Sequence, residues 1–313
     1  HDPRFLTDGS GEFRGKDLRR AMTTRQFKSP ESAEVAELTG LIAARPDDLI
    51  DPFPHTTETE LLADSGARGK EESTSPRVAM AGDEIVGYGA LDFSPDLRRA
   101  HLIGPVIHPG HRRGGLGRAL LADLQDQAKQ AHQKYVRAAV GAMNRGGQAF
   151  LTAAGFKQQE RHTCLSLERP ERFVTLEMEG ITLRRAFYED ADEVYRFTQR
   201  LVPRTFKQVK SLLRTDAYAI TLAHRQGKPV GYVEVDMRRN ERAALEHLDG
   251  QPSLIHKGLG NLLLADAIRT AFDPDRIQHL DLLVSGADRA RLEAYAESGF
   301  HIRHELVSYE AKL

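Results

Sequence analysis

The sequence predicts an α/β protein built twice over, and three observations carry that reading. A β-branched run, Val106-Ile107, leads into a glycine-rich stretch from His108 to Gly117, which opens a helix with Leu120, Leu121, Leu124 and Ala128 at the helical period. The same landmarks return about 144 residues later. The length, 313 residues, suits two domains that each bury a core of their own.

In chain order, residues 1–21 are charged, contain glycine and match neither repeat; they read as an N-terminal extension or a disordered arm. The first repeat spans 22–170. Its segment 45–76 contains proline and many acids, among them Asp47, Asp48 and Asp51, and reads as a long, partly helical connection. Val78-Ala79-Met80 and Ile85-Val86-Gly87-Tyr88 flank Gly82-Asp83 and predict a hairpin. After the glycine-rich helix, Tyr135–Val140 reads as a strand, followed by Asn144, a helix through Ala149-Phe150-Leu151, and Gly155-Phe156. Thr163–Leu167 alternates as a strand should. Residues 171–180 form the linker, although Phe173, Val174 and Leu176 make it too apolar for a solvated tether. The second repeat spans 181–313, where Gly231-Tyr232, Gly258-Leu259-Gly260 and Gly299-Phe300 echo Gly87-Tyr88, Gly115-Leu116-Gly117 and Gly155-Phe156.

A strand, a glycine-rich turn and a helix N-terminus together make an anion site, because small residues let backbone N–H groups approach phosphate oxygens at the positive end of the helix dipole. A ligand carrying a pyrophosphate is expected there. Gly117-Arg118-Ala119 lacks the Lys-Ser/Thr of an NTPase loop, and Leu120 stands where a dinucleotide fingerprint needs a small residue. Arg112, Gly115 and Gly117 instead meet the pattern Q/R-x-x-G-x-G/A, so the chain resembles the GNAT acetyltransferase superfamily, as a tandem member loosely similar to mycothiol synthase-type acetyltransferases.

That resemblance implies two domains, each a mixed, mostly antiparallel sheet flanked by helices, and acyl transfer from acetyl-CoA to an amine with no metal. The implied cofactor residues are Pro105, Val106 and Ile107 on the strand end, Arg112, Arg113, Gly114, Gly115, Leu116, Gly117 and Arg118 in the loop, and Asn144 and Phe150 beyond it. The backbone of Ile107 would donate to the oxyanion, with Asn144 at the same centre. The acid that serves the leaving thiolate in many members is a Tyr, here Tyr295 in the second repeat, where the first repeat has Leu151. The reading of Tyr295 as a core-edge aromatic stays open beside it. Candidate bases are Asp92 or His101 in the first repeat and Glu234, Glu246 or His247 in the second. Ile255 stands where the first loop has Arg112, and Asp288 where it has Asn144. The segment Asp249–Ser253 looks poor as a strand end, so the first domain is expected to hold the cofactor.

Composition sets bounds. With 44 Lys and Arg against 45 Asp and Glu, no general pull toward nucleic acid or membranes is expected. The single cysteine, Cys164, suits a buried small hydrophobe in a reducing, cytoplasmic setting better than a nucleophile, and no histidine spacing suggests a metal. The expected acceptor is a small-molecule or peptide amine, drawn by the acids of segment 45–76. The expected assembly is a monomer with a pseudo-twofold domain pair, a homodimer being compatible. A non-catalytic acyl-CoA-binding or regulatory protein is the alternative class.

Overall fold

The computed structural model describes residues 22–26, 77–94, 98–199, 204–239 and 241–313. The N-terminal arm and the acidic segment 45–76, with the acceptor role expected of it, lie outside these residues.

The first repeat contributes β1 (Met22–Gln26), β2 (Arg77–Ala81), β3 (Glu84–Ser94), β4 (Arg99–Ile107), α1 (Leu116–Gln130), β5 (Tyr135–Gly141), α2 (Arg145–Ala153) and β6 (Lys157–Glu168). The second contributes β7 (Ile181–Arg185), α3 (Ala191–Thr198), α4 (Phe206–Leu212), β8 (Tyr218–Arg225), β9 (Lys228–Asp236), β10 (Arg242–Gly250), α5 (Gly260–Ala271), β11 (His279–Ser285), α6 (Arg289–Glu297) and β12 (His301–Lys312). All twelve strands form one sheet, in the order β1-β2-β3-β4-β5-β12-β6-β11-β10-β9-β8-β7. Among the described residues only β4–β5 and β10–β11 run parallel.

That order contains an exchange. The last strand of each repeat lies against the other repeat: β12 pairs with β5 from Leu306↔Gly141 to Lys312↔Tyr135, and β6 pairs with β11 from His162↔Ser285 to Glu168↔His279. The exchanged strands pair with each other at the centre. The cores follow. Leu120, Leu121, Leu124 and Ala128 of α1 pack on Leu91, Ala100 and Val136, and also on Val307, Tyr309 and Ala311 of β12. Leu165 and Leu167 of β6 join the core around α5. A boundary near residue 170 separates the repeats in sequence, but in space each half-sheet ends on a strand of the other half.

Polar contacts fasten the exchanged strands. Arg242 on β10 donates two hydrogen bonds to Asp281 on β11, both at 2.6 Å, and a third at 3.0 Å to Ser166 on β6. Arg303 on β12 reaches the same carboxylate at 3.2 Å. Across the sheet, Arg99 on β4 and Arg137 on β5 converge on Glu310 of β12 at 3.0 and 3.7 Å. The linker is tied down as well: the Arg169 N–H bonds Gln278 O at 2.9 Å, and Phe173 lies against Phe272 with ring centres 6.2 Å apart.

Burial alone would raise the Asp281 pKa, but the hydrogen bonds from Arg242 and Ser166 and the charges of Arg242 and Arg303 outweigh it and hold the carboxyl below its ordinary 3.8. A group whose pKa is depressed on folding stabilises the fold above its unfolded value, and that contribution fades as pH falls through the folded one. The melting temperature should therefore drop more steeply below about pH 4 in the native protein than in Asp281→Asn, which is less stable at pH 7 and flatter in acid. Parallel melting curves between pH 7 and pH 3 would contradict this.

Candidate functional site

The first repeat opens a cleft in its own sheet. Strands β4 and β5 are in register only from Arg99↔Tyr135 to Leu102↔Ala138; β4 then runs on to Ile107 and β5 to Gly141 without pairing to each other. A bulge in β4 sharpens the divergence, since Tyr88↔Val106 and Ala90↔Ile103 leave Gly104 and Pro105 opposite Gly89 alone. Gly104 has φ +82°, and a Cβ there would lie 2.9 Å from Tyr88 O and Val106 N, so glycine is required.

Past the bulge, the His108 N–H bonds back to Val86 O on β3 at 2.8 Å. By strand alternation the N–H and C=O of Ile107 face the other way, into the cleft. Its carbonyl is occupied, accepting from Arg112 Nε at 2.9 Å. The N–H is directed at whatever enters between the strands. Arg112 thus braces the loop through Ile107, while Arg113, Gly114 and Arg118 stand exposed around the turn.

Gly115, with φ +92°, is the N-cap of α1 and supplies no capping side chain, and the first turn carries no acid. The first intrahelical bond, from Ala119 N–H to Gly115 O at 3.0 Å, leaves the N–H groups of Leu116, Gly117 and Arg118 outside the helix ladder. Three backbone donors and the positive end of a fifteen-residue helix therefore meet at the cleft mouth. A Cβ on Gly117 would lie 3.6 Å from Ile107 and from the Phe150 ring, so both side chains floor the loop. Pro105, Val106 and Ile107 line the β4 wall. The structure brings these residues together at the cleft mouth.

Asn144 and Tyr295 sit differently. Asn144 caps α2, its Oδ1 accepting from Gly147 N–H at 2.8 Å, and Asp288 does the same for α6 with Arg291 N–H at 3.1 Å. Capping explains both residue types. Tyr295 lies on α6, which follows β11 in the second repeat, and packs against the second core. Its ring meets Phe300 edge-on with centres 5.6 Å apart, and burial raises its pKa. Its counterpart Leu151 is only 4% exposed and belongs to the first core.

The second repeat repeats the cleft, with β10 and β11 in register only from Arg242↔His279 to Leu245↔Leu282. Contrary to the sequence reading, β10 continues to Gly250. What differs is the loop. A helical turn, Pro252–Leu254, leads into a wider turn, Ile255–Leu259, which is kinked at Gly258 (φ +108°) before α5 begins, and the Gly260 N–H is bonded back to Ile255 O. The counterpart of the Gly117 donor, which stands clear in α1, is thus taken up here.

The base candidates also separate. Asp92 and His101 are cross-strand partners, and burial lowers the His101 pKa, which favours a neutral ring able to accept a proton. Glu234 is fully buried and engaged: Arg204 Nη1 donates to both its oxygens at 2.6 and 2.7 Å, and Tyr218 Oη donates at 2.8 Å. Burial, then the Glu234 carboxylate, pushes the Tyr218 phenol well above its ordinary value. Glu246 is the extra residue of a bulge in β10, and His247 stacks on Tyr232 at 6.5 Å. The Arg204–Glu234–Tyr218 group escaped sequence reasoning because its members lie 14 to 30 residues apart with no motif to join them. Burial raises the Cys164 thiol to about 11, which opposes a nucleophilic role.

Among the described residues no helix is long and apolar enough to cross a membrane. The profile of the acetyltransferase (GNAT) family matches residues 38–156 and again 182–300. The chain belongs to that family, as a tandem member with two GNAT units in one sheet. Similar solved structures include a tandem GNAT protein from the clavulanic acid biosynthesis pathway (17% identity, TM-score 0.75, covering 93% of this chain and 98% of that one). A GCN5-related N-acetyltransferase from Sphaerobacter thermophilus is 18% identical, with TM-score 0.75 and coverage of 93% and 96%. The glucosamine N-acetyltransferase region of a fungal multi-domain GH3 β-N-acetylglucosaminidase is 13% identical, with TM-score 0.72, covering 92% of this chain and 38% of that one. At these identities the likeness is one of fold. No curated protein matches the sequence.

Proposed function

We propose that the protein transfers an acetyl or other acyl group from coenzyme A to a primary amine, and that the first repeat holds the cofactor. The uncapped N-terminus of α1 carries this reading. Its three backbone donors suit a pyrophosphate, whereas at α5 the Gly260 N–H, counterpart of Gly117, is taken up by the preceding turn. The thioester would lie between the splayed ends of β4 and β5, its carbonyl oxygen accepting from the Ile107 N–H. The amine nitrogen bonds to the acyl carbon as the C–S bond breaks; one proton leaves the nitrogen and the thiolate gains one. Neutral His101, facing Asp92, is the nearest titratable group of β4 to the divergence. The acceptor is a small molecule or a peptide terminus.

Coenzyme A should bind the native protein at one site in calorimetry. Gly117→Leu, which pushes a side chain into the loop floor, should weaken it more than tenfold. The double variant His256→Ala/Lys257→Ala, on the exposed turn before α5, should bind as before. The reverse pattern would move the cofactor to the second repeat.

The buried Leu151 favours a second reading, a non-catalytic acyl-CoA-binding protein, because it removes the usual proton donor from the first cleft. Release of free thiol from acetyl-CoA across a broad amine panel separates the two: turnover with any amine excludes the second reading, and tight binding without turnover excludes the first.

A further inference from the structure

We propose that the second repeat carries a separate pocket for a small molecule with a guanidinium or primary ammonium at one end and a carboxylate at the other. The pocket, of about 270 Å³, lies between the β7–β8 edge and the C-terminal half of α5. Leu183, Arg185 and Thr221 face it from the strands, and Asp266, Arg269 and Asp273 from the helix side.

The first repeat shows what fits there. Arg77 on β2 sends its guanidinium onto Asp123 of α1, Nη2 to Oδ1, at 2.8 Å. Thr221 occupies the Arg77 position: Arg77 is in register with Gly89 on β3 and Gln26 on β1, as Thr221 is with Val233 on β9 and Arg185 on β7. Asp266 occupies the Asp123 position, six residues beyond Gly260 as Asp123 is beyond Gly117. The threonine is too short to span the gap, so the second repeat keeps the carboxylate and has a pocket where the first places its guanidinium.

The Asp266 side chain is only 6% exposed and pairs with Arg269, one turn along the same helix and itself 63% exposed. Arg269 can swing to solvent without disturbing the sheet. The pocket also lies at the negative end of the α5 dipole, beside Asp273, which favours an incoming cation. Arg185 then supplies the opposite charge from the strand side; its bond to Asp216 O is long at 3.4 Å. A basic amino acid is the simplest ligand with both ends.

The test uses the full chain with L-arginine and with agmatine, which lacks the carboxylate. Calorimetry should show saturable one-site binding of L-arginine and at least tenfold weaker binding of agmatine. Thr221→Arg, which refills the pocket as Arg77 does, should abolish binding, and Asp266→Asn should weaken it at least tenfold. The melting temperature and circular dichroism of Thr221→Arg should match those of the native protein, so a folding defect at this position is recognised. A coenzyme A titration on each variant reports the fold and is independent of the pocket. Absence of L-arginine binding to the native chain, or binding undiminished in a folded Thr221→Arg, would overturn the proposal.

Discussion

A chain ended after Phe300, or cut into 1–170 and 171–313, yields no folded half. Removing β12 strips β5 of its partner along seven register pairs and takes Val307, Tyr309 and Ala311 out of the first core. Each large side chain among these contributes about 1.5–3 kcal/mol by burial, and the backbone edge of β5 is left unpaired. Together these losses rival the ~5–15 kcal/mol that separates a folded domain from its unfolded chain. The isolated fragments should show no cooperative melt and no binding of coenzyme A, and co-expression of the two should restore both. A nick in the linker at Val174 should likewise leave the pieces associated through size-exclusion chromatography. One fragment folding alone, with a sharp thermal transition, would refute the reciprocal exchange as a requirement for stability.

Arg204→Met should cost about 3–5 kcal/mol of stability, because it leaves the Glu234 carboxylate buried without its cation, holding, of its three hydrogen bonds from Arg204 and Tyr218, only the one from the Tyr218 hydroxyl. Removing both charges in Arg204→Met/Glu234→Leu should recover most of that loss, since a well-packed apolar pair avoids desolvating two ions. Denaturant titration of the native protein, both single variants and the double variant closes the cycle. Additive losses would show that the two residues are not coupled, against the 2.6 Å contact.

Much of the local structure could be read from residue order. The period of Leu120, Leu121, Leu124 and Ala128 fixes the buried face of α1, and Gly82-Asp83 marks the β2–β3 turn. The loop donors follow from Gly115 and Gly117. The exchange was out of reach for a physical reason. Alternation in Thr163–Leu167 says which side chains are buried, not which strand lies alongside, and the two repeats offer nearly equivalent edges. The fate of Ile255 was half legible: losing the Arg112 counterpart signals a changed loop, but only the backbone shows the turn closing onto Gly260. The cap made by Asn144 is not separable in sequence from a site role, because one residue type serves both. The clamp of Arg204 on Glu234 is likewise invisible in sequence, where a buried acid looks the same whether free or paired.

The strand exchange also sets a timetable for synthesis. Tyr309 and Gln148, hydrogen-bonded at 3.5 Å in the finished molecule, are 161 residues apart in the chain. At about 5–20 residues per second, a ribosome has made β5 and α2 some 8–30 s before it makes their partner strand. Throughout that interval the nascent first half presents a bare sheet edge and an incompletely filled core. A holdase has its work there, and a stop codon late in the message strands every upstream element in the same unfinished state.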